Sequence, residues 1–316
     1  MIGSSCVYAP FSMPSVSLPD AVRGACAWVT EQAQSVRIDG EAVETYAAGL
    51  APPAGDGAGP IAAEDPETAA AFAICMNAIN FGSGWWPTIR KRPGHSGYAT
   101  MAAGVGDRFA AGGTWSVDEL LAMDPAGIAA VVGQDPVHPL MGEFAAALRN
   151  VGLHLAEEHG GRFLGPAEAA ESIPALAATF AAWDAFADVS TYRGGDIPFF
   201  KRAQLAAADL HRAGGADLPG LDRLTAFADN LVPHVLRVDG VLRLDPGLTA
   251  RIEAGALLEH GSPEEVELRA AAVHAVELLA GACPLTPAEI DSALWNRGTE
   301  SRYKSLPRPR SRNTAY

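Results

Sequence analysis

The chain has 316 residues, of which 48% are apolar, and its formal net charge is −14. This apolar content supports a sizeable core and argues against a disordered chain. The excess of 37 acidic over 23 basic residues argues against general binding of nucleic-acid polymers, which depends on phosphate neutralisation by Lys and Arg. Residues 1–16 lack the basic start and apolar run of a signal peptide, and no apolar stretch reaches the roughly 18 residues of a membrane helix. We therefore expect a cytoplasmic protein without a membrane segment.

The cysteines and histidines give no metal-binding pattern. No cysteine pair has the spacing of a metal or redox site, so we expect reduced and mostly buried thiols at Cys6, Cys26, Cys75 and Cys283. His154 and His159 are five residues apart on a predicted helix and do not share a face well, so we interpret them as surface residues. The sequence predicts no metal site and no cofactor.

Helix-start signals recur along the chain, and three of the six combine a capping residue with a following proline. The predicted starts, in chain order, are Asp65-Pro66, Ser116, Pro139, Pro198, Ser262-Pro263 and Thr286-Pro287. Glycine pairs at 160–161 and 214–215 end two of these helices, and Glu265 and Arg269 are spaced for an ion pair within one helix. Residues 51–59 form an Ala/Gly/Pro loop, and only 192–197 and 241–244 resemble strands. We predict a mainly α-helical fold with few short strands, organised as a single domain over residues 1–316 with two packed lobes.

The segment around Asp229 puts one carboxylate at a break between two apolar helical patterns. Residues 218–227 repeat apolar side chains at helical spacing, and residues 231–238 are apolar again. Pro233 lacks an N–H, so the helix should bend or restart near Asp229. Two interpretations stay open: Asp229 caps the second helix, or its carboxylate faces a pocket beside free backbone amides.

An aromatic, glycine-rich loop follows the helix that is predicted to end at Ala78. It contains Asn80, Phe81, Trp85 and Trp86. Aromatic side chains on such a loop can stack on a planar base. Alternatively, the two tryptophans fill the gap between the lobes.

Charged residues near two other helices allow similar pairs of interpretations. Lys201 stands early in an apolar helical pattern, where it could neutralise Asp229 or an anionic ligand, or extend to solvent. Residues 294–300 bring an aromatic side chain, an amide and an acid together, which could bind the donor edge of a heterocycle or simply end the helix. The basic residues of 90–92 and 297–312 could bind one small anion, or the second group could be a solvated tail.

Taken together, these segments resemble the queuosine salvage protein family, the queuosine 5′-phosphate N-glycosylases/hydrolases. The resemblance runs from about Ser35 to the C-terminus and leaves residues 1–34 outside it. It is strongest in the following segments: Asn80-Phe81, Ser96-Gly97-Tyr98, 200–204, 227–229 with Pro233, 265–269, Leu294-Trp295, and the ending that includes Arg310, Arg312 and Tyr316.

The resemblance implies a helical fold similar to that of DNA glycosylases and hydrolysis of the N-glycosidic bond of a 7-deazaguanine nucleotide. The products would include free queuine for reuse in tRNA modification, and the partner would be a small-molecule nucleotide. Asp229 matches the catalytic acid of the family. Together with the residue patterns above, the resemblance gives these candidate substrate-binding residues: Asn80, Phe81, Trp85, Lys201, Phe227, Ala228, Asn296, Glu300, Arg310 and Tyr316.

The sequence also departs from the family pattern near the expected pocket. Asn296 stands where the family usually has Asp, Pro309 stands where His is usual, and the loop of residues 82–86 is longer and richer in glycine. These departures leave the identity of the base open. A non-catalytic module that binds a modified nucleoside would need the aromatic and basic groups but not Asp229. A DNA glycosylase would need an extensive basic surface, which this chain lacks.

Overall fold

The computed structural model describes residues 16–53, 65–215 and 217–316. The fold is mainly α-helical, as the sequence predicts. The α-helices are α1 (Leu18–Gln32), α2 (Gly40–Ala48), α3 (Pro66–Ala78), α4 (Gly97–Gly112), α5 (Val117–Leu121), α6 (Pro125–Val132), α7 (Pro139–Glu158), α8 (Gly165–Ala169), α9 (Ile173–Ala181), α10 (Lys201–Arg212), α11 (Val232–Val238), α12 (Pro246–Glu253), α13 (Pro263–Ala282), α14 (Pro287–Arg297) and α15 (Ser301–Lys304).

The helix starts follow the predicted capping signals. Ser116 and Thr286 each form a complete capping box, in which the cap side chain accepts a hydrogen bond from the N–H of the third helical residue, and the glutamate at that position accepts one from the N–H of the cap. Asp65 and Ser262 also cap their helices through their side chains. Each of these side chains satisfies backbone N–H groups that have no partner within the helix.

The strands form two small antiparallel sheets within the described residues. Strand β1 (Val36–Ile38) pairs with β4 (Leu242–Leu244), which confirms the predicted extended segment at 241–244. Strands β2 (Val189–Tyr192) and β3 (Gly195–Pro198) form a hairpin. The segment 192–197, predicted as one extended piece, therefore contains the turn of this hairpin, where Arg193 and Gly194 have positive φ angles.

The buried apolar side chains of the described residues form two clusters. The larger cluster is centred on α3, α7, α9 and α10, and the smaller one lies around α2, α11, α12 and α14. Helix α13 contributes to both, with Val266 and Val273 in the larger cluster and Leu268 and Val276 in the smaller. Glu265 and Arg269 of the same helix form the predicted ion pair, at 3.9 Å, but in the protein interior. Burial of this apolar surface is the main driving force that joins the two clusters.

The helix predicted at residues 218–227 is wrong. The chain forms only a single 3₁₀ turn at Leu221–Arg223, and residues 224–231 are not helical. Side chains from distant elements replace the helical hydrogen bonds: Gln204 Oε1 accepts the amide of Thr225 at 3.0 Å, and Asp291 Oδ1 accepts the amide of Phe227 at 2.9 Å. The apolar spacing in this segment reflects burial of an irregular chain, in which side chains accept the amides of Thr225 and Phe227.

The remaining sequence predictions have mixed outcomes. Cys26 and Cys75 are buried free thiols, and Cys283 is a partly buried one. Cys6, the rest of residues 1–15 and most of the loop at 51–59 lie outside the described residues. The interpretation of His154 and His159 as surface residues is wrong. Both rings pack against the buried indole of Trp183, at centroid distances of 4.9 and 6.0 Å.

In the part of the chain that the structure describes, no helix on its own is long and apolar enough to cross a membrane. Helices α13 and α14, which are bent by 114° relative to each other, pass that test only as a pair.

Candidate active site

A cavity of about 390 Å³ is lined by residues of the aromatic loop, α4, α10, the segment before α11, α14 and the C-terminal segment. Its wall combines aromatic side chains with three aspartates and several cations. The main contributors are Asn80, Phe81, Trp86, His95, Tyr98, Lys201, Leu205, Asp209, Arg212, Phe227, Asp229, Asp291, Trp295, Lys304, Arg308 and Tyr316. This volume and this mixture of groups are typical of a small-molecule site.

Asp229 both caps a helix and lines the cavity, so the two interpretations from the sequence hold together. Its Oδ1 accepts the amides of Leu231 and Val232 at 2.8 and 2.9 Å, at the start of α11. Both cap bonds use the same oxygen, and the side chain is only partly buried. The second carboxylate oxygen therefore lies outside the cap.

Asp291, which sequence reasoning missed, is the second carboxylate of the wall. It projects from α14, is 5% exposed, and accepts the amide of Phe227. Burial, reinforced by the charge of Asp229, raises the pKa of Asp291 well above its ordinary value. The available signal was its spacing: Asp291, Leu294 and Trp295 share a helix face, and an acid on that face is not directed to solvent.

Lys201 does not extend to solvent, because the residue is only 5% exposed and its Nζ lies in the cavity wall. The ammonium group donates to the main-chain oxygen of Asn80 at 3.0 Å. Burial lowers the pKa of Lys201 to about 8, and the charge of Asp229 opposes that shift. Lys201 therefore links the aromatic loop to the acidic part of the wall.

Arg269 holds the segment that carries Asp229. Its Nε donates to the main-chain oxygen of Ala228 at 3.0 Å, and its two terminal nitrogens donate to the carboxylate of Asp188 at 3.0 and 2.8 Å. The guanidinium lies between the rings of Phe199 and Tyr316, 3.9 and 4.5 Å from their centroids. Ala228 itself is buried outside the cavity wall, where its carbonyl serves as this attachment point.

The aromatic part of the wall depends on close packing around the loop of residues 82–86. Trp86 lines the cavity and is buried, whereas Trp85 is partly buried and lies outside the wall. Gly97 allows α4 to start directly against the Trp86 indole, because a Cβ at this position would lie 2.6 Å from the ring. Phe81, Phe227 and Tyr316 complete the aromatic lining.

The C-terminal segment, residues 308–316, folds back across the site. The amide of Gly82 donates to the main-chain oxygen of Tyr316 at 3.1 Å, and Arg202 Nε donates to that of Ala315 at 3.2 Å. Leu258 likewise donates its amide to the oxygen of Arg310 at 2.8 Å. These contacts place Tyr316 in the cavity wall.

A group of cations lies where this segment meets the cavity. Lys304 and Arg308 line the wall, whereas Arg310 does not. Burial and the charges of Arg308 and Arg310 lower the pKa of Lys91, which places the three cations near one another. Such a concentration of positive charge in an acidic protein favours an anionic ligand group.

The predicted binding residues therefore divide into two groups. Asn80, Phe81, Lys201, Phe227 and Tyr316 lie in the wall together with Asp229. The others lie outside it: Trp85, Ala228, Asn296, Glu300 and Arg310. Asn296 is partly buried and Glu300 is exposed, so the acid of α14 that reaches the cavity is Asp291. Among the described residues, no group of three or more His, Cys, Asp or Glu side chains is arranged to hold a metal ion.

Comparison with known proteins identifies the family. Residues 61–316 match the family described as "Queuosine salvage protein". The chain is 34% identical, over 307 residues, to a Sphaerobacter thermophilus protein named queuosine 5′-phosphate N-glycosylase/hydrolase, which covers 91% of this chain and 95% of that protein. Proteins of the same name from Dictyostelium discoideum and Bos taurus are 30% and 29% identical, over 76% and 58% of this chain and 76% and 57% of their own lengths. The chain therefore belongs to the queuosine salvage protein family.

Proposed function

We propose that this protein hydrolyses the N-glycosidic bond of queuosine 5′-monophosphate, or of a related 7-deazaguanine nucleotide, and releases the free base queuine for salvage. The observation that carries this proposal is the pair of carboxylates at one end of an aromatic-lined cavity. Asp229 is a partly exposed, helix-capping carboxylate, and Asp291 is a buried acid with a raised pKa.

Asp229 is the catalytic residue in this proposal. Cleavage of a C1′–N9 bond passes through a ribose with oxocarbenium character, and a nearby carboxylate stabilises this positive charge. The carboxylate can also accept the proton of the attacking water as the water oxygen bonds to C1′. The α11 cap fixes Oδ1, so the geometry of Asp229 is set before substrate binds.

Asp291 assists departure of the base. In an ordinary purine, protonation of N7 helps the base to leave, but a 7-deazapurine has carbon at this position. Help must then come from hydrogen bonds to the remaining polar atoms of the base. The raised pKa favours the protonated form of Asp291, which can donate a hydrogen bond as negative charge develops on the leaving base.

The aromatic side chains and the cations bind the two ends of the nucleotide. Phe81, Trp86, Phe227 and Tyr316 offer stacking surfaces for the base. Lys304 and Arg308 bind the 5′-phosphate through charge-assisted hydrogen bonds, with Lys91 and Arg310 close by. This anchor holds the ribose in place while the glycosidic bond stretches.

The proposed enzyme is one N-glycosylase-like helical domain over residues 1–316 that acts in the cytoplasm on a free nucleotide. The net charge of −14 disfavours binding to a nucleic-acid polymer, and the substrate cavity has the size of a small molecule. Metal and cofactor are absent from the proposed mechanism, since carboxylates and the protein's own cations supply the required charges.

The test is incubation of the purified protein, in buffer with EDTA, with a panel of nucleosides and 5′-monophosphates, followed by mass-spectrometric detection of free base. We expect queuine from queuosine 5′-monophosphate. Binding of the nucleotide without release of base, equally in the parent and in Asp229→Asn, would instead identify a non-catalytic module. Loss of activity in EDTA with recovery on addition of zinc or magnesium would contradict the metal-free mechanism.

A further inference from the structure

One face of α10 forms a wall along the length of the cavity. Lys201, Leu205 and Asp209 follow one another at four-residue spacing and all line the cavity. Since a helix rises about 1.5 Å per residue, the eight-residue step from Lys201 to Asp209 spans about 12 Å. The cavity therefore continues well beyond the end where Lys201 meets Asp229.

The far end of this wall is polar. The carboxylate of Asp209 accepts hydrogen bonds from Asn77 Nδ2 at 2.8 Å and from Arg212 Nη1 at 3.2 Å. Tyr98, at the start of α4, lines the cavity and interacts electrostatically with Asp209. Burial raises the pKa of Asp209, and burial together with the charge of Asp209 raises the pKa of Tyr98. A carboxylate withdrawn from water in this way gains from additional hydrogen-bond donors.

The charges along the cavity wall determine which part of a nucleotide binds at each end of the cavity. The Arg308 guanidinium interacts electrostatically with Asp229, so this cation lies near the position where the glycosidic bond would break. Arg212 is paired with Asp209 and also interacts electrostatically with Asp291, so its charge is already shared between two carboxylates. A 5′-phosphate is therefore attracted to the Arg308 end and repelled by the carboxylate of Asp209.

The group that fits the Asp209 end is the substituent at position 7 of queuine. It is an aminomethyl group that bears a cyclopentenediol, with a secondary amine that is protonated at neutral pH. The ammonium and the two hydroxyls donate hydrogen bonds that a carboxylate can accept, and the hydroxyls can also accept from Arg212 and Tyr98.

We propose that Asp209 is a specificity-determining residue whose end of the cavity binds the cationic, diol-bearing substituent at position 7 of the deazaguanine base. This proposal rests on the proposed function for the orientation of the nucleotide. Asp20 provides a comparison for a purely structural role. It forms an ion pair with Arg23 at the same three-residue spacing as Asp209 and Arg212, but it is exposed and lies outside the cavity wall.

The experiment compares the binding of two free bases by calorimetry: queuine, and 7-deazaguanine, which lacks the substituent. The parent protein should prefer queuine. Asp209→Asn, which keeps the shape of the side chain, should weaken queuine binding by about tenfold or more while changing the affinity for 7-deazaguanine by less than about twofold. The matched control Asp20→Asn should leave both affinities unchanged.

Equal affinities of the parent protein for the two bases would overturn the proposal, as would a loss in Asp209→Asn that is the same for both. A second variant, Leu205→Phe, keeps the charges and narrows the path along α10. Leu205→Phe should also abolish the preference for queuine over 7-deazaguanine. This variant provides the test if Asp209→Asn does not fold. An unchanged preference for queuine in Leu205→Phe would count against the subsite. These binding measurements need no turnover, so failure of the subsite is distinguishable from failure of hydrolysis.

Discussion

Asp229 and Asp291 line the same cavity and bind the amides of one short segment, yet their surroundings differ. Asp229 lies at the N-terminus of a helix, is partly exposed and accepts two amides. Asp291 lies within α14, is buried and accepts one amide, and its pKa is raised by burial and by the charge of Asp229. A partly exposed carboxylate beside a buried one whose pKa is raised can divide an anionic role from a proton-donating one. From this comparison we assign the anionic role, stabilisation of the ribose cation, to Asp229 and the hydrogen-bond-donating role to Asp291.

The largest expected effect comes from removing the charge of Asp229. Asn caps helices as well as Asp does, and an amide oxygen can still accept the amides of Leu231 and Val232. For Asp229→Asn we therefore expect a fall in kcat of about a hundredfold or more, typical of losing a main electrostatic stabiliser, with little change in Tm. Steady-state kinetics and thermal unfolding check both parts. A variant that binds nucleotide and turns over at nearly the parent rate would return Asp229 to a capping role.

The second effect tests how Asp229 is positioned. Arg269→Lys keeps a positive charge beside Asp188 but removes the Nε–H that binds the Ala228 oxygen and the planar group between two rings. We expect kcat to fall about tenfold to a hundredfold, with a smaller change in KM.

A double-mutant cycle separates positioning from general destabilisation. If Arg269 acts through Asp229, Arg269→Lys should have little further effect on kcat in the Asp229→Asn background. Arg202→Lys is the matched control, because Arg202 is equally buried and binds the main-chain oxygens of Ala78 and Ala315. Its effect should add to that of Asp229→Asn. Additive behaviour of Arg269→Lys as well would show that Arg269 only supports the fold.

These contacts also show what the sequence could and could not predict. The helix starts and the cap at Asp229 were predictable because they depend on residues within about four positions of one another. The irregular segment at 224–231 depends on Gln204, Arg269 and Asp291, which are 21, 41 and 64 residues from their partners. Local periodicity does not register such contacts, so it gave a helix here.

The candidate site shows the same difference between local features, which the sequence predicts, and long-range contacts, which it does not. The aromatic loop, Lys201 and Tyr316 were recognised from local composition and family resemblance, and all contribute to the wall. Asp291 was missed because an acid in a helix is usually solvated, and only its position against Phe227 makes it part of the cavity. Asn296 and Glu300 were selected from the segment 294–300 and from the family resemblance. The direction of the Asn296 side chain depends on its angular position on α14, and Glu300 lies beyond the end of that helix.

The third effect concerns the cations near Asp229. Arg308→Gln should reduce the preference for the 5′-monophosphate over the nucleoside by about tenfold, through loss of one charge-assisted contact, and leave the nucleoside rate nearly unchanged. Arg312→Gln is the control, since Arg312 is exposed and lies outside the wall. Comparison of kcat/KM for the two substrates provides the measurement. Deletion of residues 308–316 is a poorer test because it also removes Tyr316 from the site. An unchanged preference in Arg308→Gln would place the phosphate elsewhere.

The smallest effect on activity, and the most specific test of the comparison, comes from Asp291→Asn. The amide can still donate a hydrogen bond to the leaving base, so kcat should fall only about tenfold. Stability should change with a defined sign. Because the pKa of Asp291 is raised on folding, the folded state holds a proton that the unfolded state releases once the pH exceeds the usual aspartate pKa of about 3.9.

From that pH up to the raised pKa of the folded state, the parent loses stability as the pH rises, and a neutral asparagine does not. The free energy of unfolding of Asp291→Asn, measured in urea at several pH values, should therefore increase relative to that of the parent across this range. Asp229→Asn removes the neighbouring charge that helps to raise the pKa of Asp291. In this variant the free energy of unfolding should therefore fall less, as the pH rises, than it does in the parent. A stability difference between Asp291→Asn and the parent that is independent of pH would mean that Asp291 is ionised like Asp229, and the division of roles between the two carboxylates would fail.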